Sequence, residues 1–346
     1  MGRRPALSCF YLTDPGTLNH ANALAAVHPA PLYLAPKGEA VKTWEQVGAI
    51  LEWLLEHHAL KSSFLVVVGG GALSDAGGLA AALYKRGIPW VAFPTTLVAM
   101  VDAAWGGKCA VNFGGIKNSV GLFHPPSEGI YGVSYLNTLP SQALFDGWVE
   151  MLKHALIGDR SLYLQIMEHS ILRSDLSVGI PAAGLIEQAL AYKVGIVAVD
   201  PYEDRVRKLL NFGHTMGHAL EAWNTRFTHG QAVWLGMWFE VHLAFSVGLL
   251  PLEEVVACQS ALSLLAPAFP WSSSELSLPA WEALQPLLLH DKKNNHHGIS
   301  WSLPVSVGSG RYQLVWETEV LERCYRTWSR HPLGLSGPAS FSDGLL

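Results

Sequence analysis

Apolar positions in the first third of the chain fall into short continuous runs, separated by stretches in which they recur at helical spacing. Ala6 to Leu12 is a brief apolar run closed by Thr13 and Asp14 and reads as a first β-strand; Pro31-Leu-Tyr-Leu-Ala35 reads as another. Trp44, Val47, Leu51, Leu54 and Leu55 then share one helical face, while Glu45, Glu52 and Glu56 take the other. Thr43 stands at the N-cap of that helix, with Gln46 three residues on in the capping-box position. Phe64-Leu-Val-Val-Val68 is apolar throughout, as in a strand covered on both faces. Gly69-Gly70-Gly71 follows, then a predicted helix from about Ser74 to Lys85 and a strand over Trp90-Val-Ala-Phe93. Strand and helix in alternation predict a parallel sheet with helices on its faces.

Beyond about Leu136 the period is helical. Helices are predicted over Gln142 to Ile157, Leu162 to Arg173, Ala183 to Val199, Lys208 to Trp223, Ala232 to Val247 and Pro251 to Leu265. A late strand pair is expected at Ile299 to Leu303 and Arg311 to Val315. The expected organisation is an α/β nucleotide-binding domain over 1–136, a mostly α-helical metal-binding domain over 137–330, and a flexible Gly-, Ser- and Pro-rich tail over 331–346.

Composition sharpens this picture. At 346 residues the chain exceeds one simple core, and with half its residues apolar and 15% charged it can bury a large one. A net charge of -5 without a run of Lys or Arg carries no electrostatic footprint for nucleic acid. Cys9, Cys109, Cys258 and Cys324 form no CxxC pair, and their sparse use fits a reducing, cytoplasmic setting. Ala6 to Leu12 is too short for a secretion signal. The most hydrophobic long window, Ala232 to Leu250, contains Glu240 and His242, which argues for a buried helix over a membrane span.

Four clusters carry candidate chemistry. The strand-to-helix turn Gly69-Gly70-Gly71, followed by Asp75, could bring backbone N–H groups and a helix N-terminus to a pyrophosphate, with Asp14 placed to hold a ribose hydroxyl. The second cluster runs from Pro94-Thr95-Thr96 through Asp102 and Gly106-Gly107-Lys108 to Lys117-Asn118. Its lysines sit among glycines in a segment with few other charges, which suits an anion better than it suits ordinary surface lysines. The third holds His214 and His218 at i and i+4, then His229-Gly230; the pair shares a helix face and imidazole suits zinc. The fourth is Glu150 with Lys153 and His154 among apolar neighbours, where a surface i,i+3 ion pair is the ordinary reading. A catalytic zinc needs about three protein ligands. Spacing leaves Glu150, His154, His214, His218 and His229 open.

Taken together these segments resemble the 3-dehydroquinate synthase family. The matching pieces are Gly38-Glu39 with Lys42, Gly69-Gly-Gly with Asp75, Arg86-Gly87, Pro94-Thr-Thr-Leu with Asp102, Gly106-Gly-Lys108, Lys117-Asn118, Glu150 with Lys153, and Lys193. They continue in the family's order with Asp200, Glu203, Arg207, Leu210-Asn211-Phe-Gly-His214-Thr-Met-Gly-His218, His229-Gly230 and Asp291-Lys292-Lys293. The resemblance implies zinc, with cobalt as an alternative, on Glu150, His214 and His229, and leaves His218 facing substrate. It implies an NAD site drawing on Asp14, Glu39, Lys42, Gly70, Gly71, Asp75, Thr95, Thr96, Asp102, Lys108 and Lys117. It implies a pocket for a sugar acid phosphate made by Asp102, Lys108, Asn118, Lys153, Lys193, Arg207, Asn211, His218, Lys292 and Lys293. Arg86 would reach a neighbouring subunit, hence a homodimer, with neither nucleic acid nor membrane as partner.

The implied reaction closes 3-deoxy-D-arabino-heptulosonate 7-phosphate to 3-dehydroquinate, releasing phosphate. Departures from the family pattern are Ile116 where glycine is usual, Gln231 in place of Glu, Pro201 after Asp200, and the lack of the strand that usually precedes the one ending at Asp14. Gln231 could alter a hydrogen bond behind the metal. Rival readings are a cyclase of sedoheptulose 7-phosphate, a related metal-dependent alcohol dehydrogenase that consumes NAD stoichiometrically, and an inactive homologue kept as a scaffold. An arginine at 207 favours a substrate carboxylate.

Overall fold

A computed structural model of the chain describes residues 8–271, 275–289 and 298–333. Two compact units divide it, one reaching to Leu139 and the other opening at Pro140.

The first unit is built on β1 (Cys9–Thr13), α1 (Leu18–Val27), β2 (Leu32–Leu34), α2 (Trp44–Glu56), β3 (Phe64–Gly69), α3 (Gly71–Leu83), β4 (Trp90–Pro94), α4 (Leu97–Val101), β5 (Lys108–Phe113), β6 (Ile116–Phe123) and β7 (Glu128–Gly129). Five strands form a parallel sheet in the order β2-β1-β3-β4-β7. Strand alternation explains the continuous apolar runs. Phe10, Leu12, Leu65 and Val67 pack on one face with Val47, Ile50 and Leu54 of α2 and Ala76, Leu79 and Ala80 of α3. Tyr11, Val66 and Val68 pack on the other with Ala21 and Leu24 of α1. A Cβ at Gly77 would stand 2.8 Å from the Leu12 and Val67 side chains, so glycine is what lets α3 lie this close to the sheet. β1 has β2 on one side and β3 on the other. Its neighbours' connections therefore leave in opposite directions, and in such sheets the crevice opens at the carboxyl ends of the strands.

β5 and β6 form an antiparallel hairpin that the sequence reading treated only as a glycine-rich cluster. Phe113 faces Ile116 across Gly114 and Gly115, whose φ values of 61° and 77° are what a two-residue hairpin turn demands.

The second unit holds α5 (Ser141–Ile157), α6 (Arg160–Met167), α7 (Ala183–Val199), α8 (His214–Trp223), α9 (His229–Ser246), α10 (Leu252–Ser263), α11 (Trp281–Leu289), the antiparallel pair β8 (Trp301–Ser306) and β9 (Ser309–Leu314), and α12 (Thr318–Trp328). α9 is its axis: Gly230 to Ala244 are all buried, as expected of a helix apolar on every side. Among the described residues no helix is long and apolar enough to cross a membrane.

Two predicted helices change. The Lys208–Trp223 segment is a 3-10 turn (Val206–Asn211) and then α8, because Gly213 sits at φ 78° and breaks the run. The helix expected to run to Arg173 stops at Met167, and Leu172 bridges Val178 instead. Helices α1, α4, α11 and α12 were not foreseen.

Candidate functional site

In the helical unit, α5 supplies Glu150, the first residue of α8 is His214, and the first residue of α9 is His229. Donor atoms of these three lie within 4.8 Å of one another. Glu150 Oε1 is 3.6 Å from His214 Nε2 and 3.6 Å from His229 Nε2. Tetrahedral zinc with bonds of about 2.0–2.1 Å would separate its ligand atoms by roughly 3.4 Å. The donor set, one carboxylate and two imidazoles, therefore fits a catalytic zinc ion in both chemistry and spacing. The far ring nitrogens fix the tautomers: His214 Nδ1 donates to the Phe212 carbonyl at 3.0 Å, and His229 Nδ1 donates to Glu221 at 3.4 Å. Burial alone would favour neutral His229, but the Glu150 and Glu221 carboxylates outweigh it and push the imidazole up to about 10. The surroundings of Glu150 thus favour positive charge, for which a proton and a metal compete.

Spacing left His154 and His218 open as ligands. His154 is fully buried on α5 and packs on Tyr192 with ring centroids 5.4 Å apart. His218 follows one turn after His214, its ring 5.4 Å from that of His214 and 6.1 Å from that of His229.

Lys153, Lys193 and Arg207 are all buried in this unit, at 1%, 6% and 1% exposure. Lys153 pairs with the Glu150 carboxylate. A buried cation is stable only beside an anion or hydrogen-bond acceptors, and for Lys153 the Glu150 carboxylate is that anion. The loop before Arg207 is organised by Asp200. Burial works against its charge, yet the backbone N–H groups of Arg207, Arg205 and Asp204 hold its carboxyl below the usual range. Arg207 Nη1 donates to the Pro201 carbonyl at 2.6 Å, and Asn211 donates to Glu203 at 2.7 Å.

Gln231 has a definite role. It completes a capping box with Thr228, accepting from the Thr228 N–H at 3.0 Å, and donates to Gln142 at 2.6 Å. Gln142 in turn donates to Asp146 at 3.0 Å and to Thr228 Oγ1 at 3.1 Å. The amide at 231 thereby anchors Thr228, the residue immediately before His229. A carboxylate there could not donate to Gln142.

In the α/β unit, Asp14, Gly70 and Thr95 follow the carboxyl ends of β1, β3 and β4, where sheets of this kind bind nucleotides. Asp14 is more engaged than its assigned role suggests: Oδ1 accepts from the N–H groups of Gly16 (2.7 Å) and Thr17 (3.2 Å). None of Gly69, Gly70 and Gly71 has positive φ. Their requirement is space, since a Cβ on Gly69 would lie 2.6 Å from Leu73 and one on Gly70 3.2 Å from Thr96. Thr96 caps α4 through Ala99 N–H. The Thr95 hydroxyl is buried without a hydrogen-bond partner, an orphan that a bound nucleotide would satisfy.

Lys42 bonds Asp75 at 2.7 Å and also Asn118. Burial pushes the Asp75 carboxyl up to about 6 against the pull of Lys42. Glu39 joins the same group through Asn112, which donates to it at 3.1 Å and accepts from the Asn118 N–H at 2.9 Å. Lys108 on β5 and Lys117 on β6 are exposed. Arg86 is exposed with φ 62°, and Lys61 donates to the carbonyls of Lys85, Arg86 and Gly87 around it. Lys292 and Lys293 lie outside the described residues.

Sequence reasoning missed Asn112 and Glu221, and took Glu240 only as an argument against a membrane span. Glu221 was detectable, since it follows His218 by three residues on the same helix face.

Residues 32–146 match the model of the 3-dehydroquinate synthase N-terminal domain, and residues 147–294 match that of the C-terminal domain. The 3-dehydroquinate synthase of Parabacteroides distasonis is 35% identical over 322 residues, covering 90% of this chain and 89% of the relative. Among solved structures, 2-epi-5-epi-valiolone synthase from Streptomyces hygroscopicus, with NAD+ and Zn2+ bound, superposes with TM-score 0.78 at 26% identity over 94% of this chain and 92% of its own. A 2-deoxy-scyllo-inosose synthase complexed with carbaglucose-6-phosphate, NAD+ and Co2+ gives TM-score 0.81 at 25% identity, with the same coverage of 94% and 92%.

Proposed function

The chain belongs to the 3-dehydroquinate synthase family, and from that premise we propose that it converts 3-deoxy-D-arabino-heptulosonate 7-phosphate to 3-dehydroquinate and phosphate. It is a carbon-oxygen lyase of the shikimate pathway. The observation that carries the reading is the donor group of Glu150, His214 and His229, with ligand atoms within 4.8 Å. Solved neighbours with bound NAD+ and Zn2+ or Co2+ support assigning NAD and zinc, with cobalt as an alternative, to this chain. When bound, zinc supplies a Lewis acid for substrate hydroxyls and NAD+ a hydride acceptor that returns the hydride in the same turnover.

The protein's own residues bind and orient a substrate that is anionic at both ends. Buried Lys153, Lys193 and Arg207 offer cations, and the planar guanidinium of Arg207 suits a carboxylate. Lys108, Asn118, Asn211, His218, Lys292 and Lys293 are assigned to the same ligand by resemblance. Asp14, Glu39, Lys42, Gly70, Gly71, Asp75, Thr95, Thr96, Asp102, Lys108 and Lys117 are assigned to NAD. Arg86 is assigned to the neighbouring subunit of a cytoplasmic homodimer.

Phosphate release is the test. Heptulosonate phosphate with NAD+ and zinc should give phosphate without net NADH, a chelator should stop it, and sedoheptulose 7-phosphate should be a poor substitute. Accumulating NADH without phosphate would replace this reading with a dehydrogenase.

A further inference from the structure

Glu240 lies in the middle of α9, a helix buried along nearly its whole length, at 0% exposure. An ionised carboxylate in such a place is costly unless donors surround it. Its donors come from the start of α8. Oε2 accepts from the Gly213 N–H at 2.6 Å and Oε1 from the Met216 N–H at 3.3 Å. The first N–H groups of a helix lack partners within the helix and carry the positive end of its dipole, so a buried anion is stabilised there.

The two bonds bracket His214, which lies between Gly213 and Met216. The same crossing is tight enough to exclude side chains. A Cβ on Gly213 would lie 2.5 Å from Met237 and 2.8 Å from the Val233 carbonyl, and one on Gly236 would lie 2.0 Å from the Gly213 carbonyl. α8 and α9, which bring His214 and His229 to Glu150, therefore meet backbone to backbone, with the carboxylate of one tied to the amides of the other.

We propose that Glu240 is a positioning residue: it fixes the first turn of α8 on α9 so that His214 and His229 present their Nε2 atoms to one metal ion. This rests on the metal reading above. It predicts an effect on metal geometry and affinity that a purely structural staple would not have.

The test uses the full chain loaded with Co2+. Glu240→Gln keeps the volume but turns one acceptor into a donor aimed at an N–H. The expected result is a Co2+ dissociation constant raised about tenfold or more and a changed visible absorption spectrum, with far-ultraviolet circular dichroism and NAD binding preserved. Wild-type affinity and spectrum in the variant would overturn the proposal, even if its melting temperature fell. Should the variant not fold, hydrogen exchange on the wild type decides. The Gly213 and Met216 amides should stay protected after the metal is stripped, and rapid exchange there overturns the proposal. Wild-type protein that takes up no Co2+ would remove the metal reading along with it, whereas a failure confined to the variant leaves that reading standing.

Discussion

His229 and Glu221 face each other across 3.4 Å, ring Nδ1 to carboxylate, while the Nε2 of the same ring faces Glu150. A carboxylate behind a ligating imidazole fixes its orientation and raises its basicity. Glu221→Gln should therefore keep the fold and weaken zinc about tenfold, measured by competition with a chromophoric chelator. An unchanged zinc affinity would show that Glu221 is a bystander.

The crossing of α8 and α9 predicts a graded glycine series. Gly236→Ala places a Cβ 2.0 Å from the Gly213 carbonyl, so it should destabilise by about 3 kcal/mol or more and lose metal. Gly217→Ala meets backbone atoms at 3.0 Å and should cost less. Gly195→Ala, on α7 with no atom within 4 Å of its Cβ, should stabilise by about 0.5–1 kcal/mol. Denaturant midpoints will rank the three, and equal effects at 236 and 195 would contradict the packing described.

These glycines show how far the sequence could be read. The alternation of strand and helix, the triple-glycine turn and the apolar axis of α9 were visible because periodicity reports burial directly. The hairpin at Gly114-Gly115 carried a standard turn signal but was read as chemistry instead. Glu240 stood out as an acid in an apolar helix, yet its partners lie 24 and 27 residues away, and spacing does not reveal such contacts. His154 and His218 could not be separated from His214 and His229 by spacing alone. That choice depends on which helix starts bring imidazoles to Glu150.

Asp75 gives a pH signature. Burial raises its folded carboxyl from the ordinary carboxylate range to about 6, so the folded chain holds this proton more tightly than the unfolded one. The stability of the wild type relative to Asp75→Asn should fall as pH rises from about 4 to about 6, by up to roughly 3 kcal/mol, and level off above. Urea titrations of both proteins across this range measure the difference. A difference that stays flat or grows with pH would show that burial does not dominate at Asp75.

Thr95 separates binding from stability. Removing its partnerless hydroxyl by Thr95→Val should leave the melting temperature unchanged or higher. If that hydroxyl serves NAD, calorimetric titration will show the NAD+ dissociation constant raised about five- to tenfold, the worth of one hydrogen bond. Unaltered NAD+ binding would remove Thr95 from the cofactor site.

The most direct measurement is the zinc content of purified wild-type protein beside Glu150→Gln, His214→Ala and His229→Ala, with NAD+ binding as the control for folding. One zinc per chain in the wild type is expected, with near-complete loss in each variant and NAD+ binding retained. Stoichiometric zinc in any correctly folded variant would contradict a centre built on these three side chains.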